Sequence, residues 1–154
     1  MRKKDSRICG IDEAGRGAWA GPLIAAAIVL PFSIKRISRR AKVKVKDGKL
    51  LTSRQRKRIY GVLKRAGAQV TLEIISARSI NNHGIGWANR EIMRRLIKRV
   101  EADKFIVDGR LRLGRILGKT TKVQSIAHAD ATIPEVILAG IVAKVERDKI
   151  MQGL

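Results

Sequence analysis

Acidic residues are scarce in this chain, so their positions carry information. There are 13 Asp and Glu against 34 Lys and Arg. Three acidic positions fall at the ends of apolar segments. Asp12-Glu13 follows Ile8-Cys9-Gly10-Ile11, Asp108 follows Phe105-Ile106-Val107, and Asp130 lies just before the apolar stretch that begins near Thr132. Carboxylates at strand ends, where loops converge, are where α/β sheets build sites. One chemistry such a cluster can serve is phosphodiester cleavage. Hard oxygen ligands hold Mg²⁺ or Mn²⁺, and two such ions about 4 Å apart can activate a water and stabilise a leaving oxygen. Each acid also has an ordinary reading. Asp108-Gly109 fits a plain turn, and Asp130 fits the positive end of the following helix. Neighbours on a regular strand face opposite ways, so Asp12 and Glu13 share one site only if the strand ends or bulges between them.

The elements that must position these groups follow from the apolar pattern. Strands are expected over 7–12, 23–30, 69–76, 104–108 and 121–127. Residues 15–21 are a glycine-rich turn, and 34–49 read as a basic connection with weak alternation around Val43 and Val45. Thr52-Ser53-Arg54-Gln55 resembles a capping box opening a helix to about Ala66, with Gly67 as its stop. Ile85, Ala88, Ile92, Leu96 and Val100 mark a second helix whose start is blurred by Gly84 and Gly86. Thr132-Ile133-Pro134-Glu135 suggests another capping box, opening a last helix to about Met151. Strands mixed with helices predict an α/β layer fold, and 154 residues suit one domain over 1–154.

The net charge of +21 points to a polyanionic partner, most simply nucleic acid. One cysteine, Cys9, excludes a disulfide framework and a cysteine zinc site. The longest nearly apolar run, Pro22–Phe32, is too short to span a bilayer. The expected setting is a reducing cytoplasm, with no membrane partner.

Gly10 to Leu30 reads GIDEAGRGAWAGPLIAAAIVL. This resembles the opening of bacterial ribonuclease HII, whose hallmark is D-E-A/V-G-R-G followed by an apolar strand. Four further segments resemble that family in order. Lys46-Asp47-Gly48-Lys49-Leu50-Leu51-Thr52 is similar to its D-S-K-K-L segment, and Ile106-Val107-Asp108-Gly109 to its (I/V)-D-G strand. Ala129-Asp130-Ala131 is similar to K-G-D-(A/S), and Ala143-Lys144-Val145-Glu146-Arg147-Asp148 to A-K-V-x-R-D.

The resemblance implies an RNase H-like fold, a mixed central sheet flanked by helices. It implies that Asp12, Glu13, Asp108 and Asp130 are catalytic carboxylates holding two Mg²⁺ or Mn²⁺ ions. It implies a monomer that cuts RNA in RNA–DNA hybrids, and at ribonucleotides embedded in a DNA duplex, leaving 5′-phosphate and 3′-hydroxyl ends. Gly15, Arg16 and Gly17 would meet the junction nucleotide and sense its 2′-hydroxyl, the group that separates RNA from DNA locally. Lys49 would contact phosphate. Lys144 and Arg147 are candidates for the same role, or ordinary solvated helix charges.

The chain departs from the family pattern at several places. Ala18, with Trp19 beside it, replaces the usual proline, and Gly48 replaces a serine. His128 stands for a lysine, either as a phosphate or proton partner or as a surface histidine without a role. Ile137-Leu138-Ala139-Gly140-Ile141 replaces S-A-A-S-I. The family's C-terminal tail, with its lysine-glycine-tyrosine segment, is expected to be absent, and Tyr60 does not match that tyrosine. The alternatives to an active hybrid ribonuclease are a non-catalytic or weakly active basic nucleic-acid-binding relative and a junction resolvase on the same fold.

Overall fold

A computed structural model describes residues 6–18, 20–111, 113 and 122–153. Trp19 and the first residue of the expected 121–127 strand lie outside them.

Five strands form one mixed sheet in the order β3-β2-β1-β4-β5. They are β1 (Ile8–Ala14), β2 (Leu23–Val29), β3 (Gln69–Ile75), β4 (Lys104–Asp108) and β5 (Lys122–Ile126). β1 pairs antiparallel with β2 and parallel with β4. Every residue of β2 is buried, which is why its sequence is a continuous apolar run rather than an alternation. Its two sets of side chains enter different cores. Ile24, Ala26 and Ile28 pack with α1 (Ile34–Ala41), α2 (Ser53–Arg65) and α6 (Pro134–Gln152). Leu23, Ala25, Ala27 and Val29 pack with α4 (Ile85–Arg99) on the other face. The remaining helices are the short α3 (Ala77–His83) and α5 (Ala129–Thr132). No helix among the described residues is long and apolar enough to cross a membrane.

Three local expectations change. First, residues 34–41 are a helix, not a connection. The Ser33 side chain caps its first turn by accepting from Lys35 N, and Ile37 and Ala41 anchor it in the core. Second, the Thr132 capping box does not form. The Thr132 hydroxyl instead donates to the His128 carbonyl at 3.2 Å, and α6 begins at Pro134 without a side-chain cap. Third, β1 neither ends nor bulges at Asp12. It continues in register to Ala14, with Asp12 opposite Ala26 and Glu13 opposite Ala25. The capping box at Thr52 and Gln55 forms in both directions, as the spacing predicts. Gly84, at φ 87°, separates α3 from α4 and accounts for the blurred helix start there.

Candidate active site

Strand register brings the first two acids together. Ile11 pairs with Val107 in the parallel β1–β4 ladder, so the next step puts Asp12 beside Asp108 on neighbouring strands about 4.8 Å apart. Asp130 arrives from α5, whose backbone N–H at Asp130 donates to Asp108 Oδ1 at 3.1 Å. One carboxylate oxygen from each of Asp12, Asp108 and Asp130 lies within 4.8 Å of the others. Glu13 is not one of these three, although its carboxyl lies against that of Asp12. It still lines the same cleft, and its Oε2 is buried with no hydrogen-bond partner.

The electrostatics of the cluster are those of crowded carboxylates. Burial, then the neighbouring Glu13, pushes Asp12 up to about 9, against the backbone N–H of Glu13 that donates to Asp12 Oδ1 at 2.8 Å. Burial raises Glu13 as well, opposed by the Arg16 guanidinium. Asp108 is raised mainly by burial. Asp12 and Asp108, reluctant to ionise alone, converge with Asp130 into a donor set suited to a hard divalent cation, whose charge would offset the crowding. Glu13 Oε2, buried and unpartnered, fits the same need.

The cleft is about 220 Å³ and is also lined by Gly15, Asp47, Gly48, Lys49, Arg56, Gly140 and Lys144. Lys49 reaches it from the 3₁₀ turn at Gly48–Leu50, where the Asp47 side chain caps the Lys49 N–H. Its ammonium is 3.2 Å from Asp130 Oδ2, and that contact raises its pKa. With the Lys49 side chain 79% exposed, the pair contributes little to folding. The ammonium stays reachable at the mouth of the cleft. Lys144 lies on α6, 2.8 Å from Asp148. His128 is exposed at the start of α5 in a left-handed conformation, outside the cleft lining.

The glycine turn occupies the other flank. Gly15 has φ 105°, and Arg16 and Gly17 are exposed. Arg16 faces a second groove, shared with Asn81 and Ile85 at the α3–α4 junction. Arg147 does not sit at the cleft mouth. It is 8% exposed, and its guanidinium donates to the carbonyls of Ala20 at 2.6 Å and Pro22 at 3.2 Å. A buried guanidinium needs acceptors, and these acceptors are the loop's own backbone. A Cβ at Gly15 would stand 2.5 Å from Arg147 Nε, so this glycine admits the side chain that holds the loop.

Three further positions shape the site. A Cβ on Gly140 would stand 2.5 Å from Asp12 Oδ2, so α6 passes directly over the carboxylate. Gly10 lets the first turn of the same helix approach β1, for a Cβ there would collide with the backbone of Glu135 and Val136. Arg56 donates to the carbonyls of Gly48 and Leu51 and fixes the turn that carries Lys49. Two sequence signals mark Gly140: it stands where the family's S-A-A-S-I segment has its second serine, and it is a glycine inside an apolar helix, where alanine is favoured by about 1 kcal/mol.

Comparison with known proteins places this arrangement. The family model described as ribonuclease HII matches residues 9–154. A ribonuclease HII of Frankia alni is 37% identical over 150 residues, covering 96% of this chain and 59% of that protein. One from Roseiflexus castenholzii is 34% identical, covering 96% and 64%. The chain thus spans about three fifths of the length of these relatives. Among solved structures, the ribonuclease H2 of Pyrococcus horikoshii superposes with a TM-score of 0.79 at 27% identity, covering 96% of this chain and 74% of that one. The ribonuclease HII in a PCNA complex from Archaeoglobus fulgidus gives 0.80 at 26%, covering 96% and 75%. The shared mixed sheet is the RNase H-like fold, and by sequence and fold together this chain belongs to the ribonuclease HII family.

Proposed function

We propose that this chain hydrolyses the RNA strand of RNA–DNA hybrids, and cuts at ribonucleotides embedded in DNA, leaving 5′-phosphate and 3′-hydroxyl ends. The observation that carries the reading is the meeting of Asp12, Asp108 and Asp130 oxygens within 4.8 Å, in a cleft whose lining includes the first glycine of the Gly15-Arg16-Gly17 turn. Bound by these carboxylates, with Glu13 beside them, a pair of Mg²⁺ or Mn²⁺ ions would supply water activation and neutralisation of charge at the phosphate. The protein's own residues do the rest. Asp108 is oriented by the Asp130 N–H, which fixes one ligand against another. Lys49, anchored by Asp130, presents its ammonium to a phosphate oxygen, and Lys144 offers a second charge on the same rim. The turn at Gly15, Arg16 and Gly17 offers backbone and guanidinium to the sugar, where the 2′-hydroxyl is the one local mark of RNA. Arg147 is the positioning residue that holds this turn. The protein acts as a monomer on a duplex, because one chain carries every group named.

The test is cleavage of three labelled duplexes: an RNA–DNA hybrid, DNA with one ribonucleotide, and plain DNA. Each is incubated with Mg²⁺, with Mn²⁺ and with EDTA. Metal-dependent cutting of the first two and not the third is expected, and Asp12→Asn or Asp108→Asn abolishes it. Hybrid binding without cleavage in either metal would replace the reading with a non-catalytic binder.

A further inference from the structure

One face of the molecule carries more charge than the cleft uses. Between Lys35 and Arg65 the chain has fourteen Lys and Arg and a single acid, Asp47. All fourteen except Arg56 are exposed. Among the described residues, Lys49 alone of the exposed thirteen pairs with a carboxylate. On the opposite side of the sheet carboxylates intervene more often: of the five basic residues of α4, Arg94 and Arg95 share Glu91 and Arg99 meets Glu73 at 2.5 Å. Ordinary surfaces intersperse both signs. An unneutralised cluster repels itself and destabilises the compact state, and so points to an external polyanion.

The cluster is continuous with the cleft. α1 and α2 lie on the α6 side of the sheet. After α1 the chain is tied back to it, with Val45 N donating to Ser38 Oγ at 3.1 Å. Val43 is buried and Val45 half-buried, while Lys42, Lys44 and Lys46 are exposed. That row leads into the Gly48–Leu50 turn and Lys49 at the cleft mouth. The 13 residues of α2 extend about 20 Å at ~1.5 Å each. Such a length matches about six base pairs at ~3.4 Å per step.

We infer that the α1–α2 face is a second binding surface for the phosphate backbone of a nucleic-acid duplex, holding the flank of the same duplex whose scissile strand enters the cleft. The inference rests on the proposed function only for which duplex is cut. The binding it describes is to phosphates and requires no metal, no ribonucleotide and no cleavage.

The experiment measures binding of the full chain to a 30-base-pair plain DNA duplex by fluorescence anisotropy across KCl concentrations. One variant, Lys35→Gln/Arg39→Gln/Arg40→Gln/Arg58→Gln, neutralises the face. A control, Arg90→Gln/Arg95→Gln/Lys98→Gln/Arg99→Gln, removes the same charge from α4. All eight side chains are exposed, and thermal melts verify that each variant folds. Each lost phosphate contact removes about 0.9 from the slope of log affinity against log salt. The face variant is expected to lose two to four units of slope and at least about tenfold in affinity near 0.1 M salt. The control should change less than about threefold. Equal loss in both variants, or wild-type binding by the face variant, overturns the inference. So does loss of binding to phosphatidylserine vesicles with DNA affinity intact, which would assign the face to membranes. In parallel, cleavage of a 30-base-pair hybrid by the face variant should show a raised KM and unchanged kcat. An inactive wild type would refute the proposed function while the DNA measurement still decides this one.

Discussion

Replacing Asp12 by asparagine should destroy metal-dependent function and stabilise the metal-free protein. Asp12 is 8% exposed and surrounded by acids. Its carboxyl is pushed from 3.8 to about 9 in the fold. A group raised in this way contributes stability that is fully present below its unfolded pKa and is lost as pH rises through its folded pKa. The window therefore runs from about pH 4 to about pH 9. At pH 7 roughly three pKa units of that window have been crossed, at about 1.4 kcal/mol each, so the ionisable group costs the apo fold up to about 4 kcal/mol. Asparagine carries no such cost, and its Oδ1 can still accept from the Glu13 N–H. A gain of at least about 2 kcal/mol is expected, a rise in Tm of about 4–8 °C. The assay is thermal melting in EDTA at pH 5, 7 and 8.5, with the variant's advantage growing at each step. Adding Mn²⁺ should then reverse the order, because wild type alone gains binding energy, about 2.7 kcal/mol at a hundred times Kd. An asparagine variant less stable than wild type in EDTA at pH 8.5, or a gain equal at all three pH values, would refute the crowded-carboxylate argument.

Gly140→Ala separates metal affinity from folding. The added methyl meets the movable end of Asp12 rather than backbone, so stability should hold or rise by up to about 1 kcal/mol from helix propensity. Mn²⁺ affinity, read by calorimetry, should fall at least tenfold. Arg147→Met should cost about 2–4 kcal/mol in a denaturant melt, by stranding the carbonyls of Ala20 and Pro22. It should raise KM for hybrid more than it lowers metal affinity. A greater loss of metal affinity than of substrate binding would contradict its role under the turn.

The sequence discloses the site's ingredients more readily than their geometry. Asp12, Asp108 and Asp130 are legible because acids are rare in this chain and stand where apolar strands end. That Asp12 and Asp108 are neighbours depends on β1 and β4 pairing in parallel across some ninety residues, which no local pattern encodes. Glu13 shows the limit from the other side: alternation on an unbroken strand predicts that it diverges from Asp12, yet its carboxyl lies against Asp12 and lines the same cleft. The helix at 34–41 is hidden by its charge. Its core contact rests on few residues, Ile37 and Ala41 fully buried with Ile34 half-buried beside them, and the lysine-rich stretch after it imitates a connection. Thr132 fits a capping pattern and is claimed by His128 instead, since the four-residue α5 intervenes. Arg147 reads as a surface charge from its motif, and only the return of α6 against the loop shows it buried.

Gly140, Lys144 and Arg147 follow one another on α6 at spacings of four and three, a single stripe of the helix. The first lies over the Asp12 carboxylate, the second lines the cleft, and the third grips the loop through Ala20 and Pro22. The helix is therefore a common axle for the acidic cluster and the glycine turn. One residue inserted before Gly140 would turn the stripe by about 100° and dismantle both at once. Met151, whose sulfur packs where a Gly21 side chain would sit, lies eleven residues beyond Gly140, about 17 Å along the same rod.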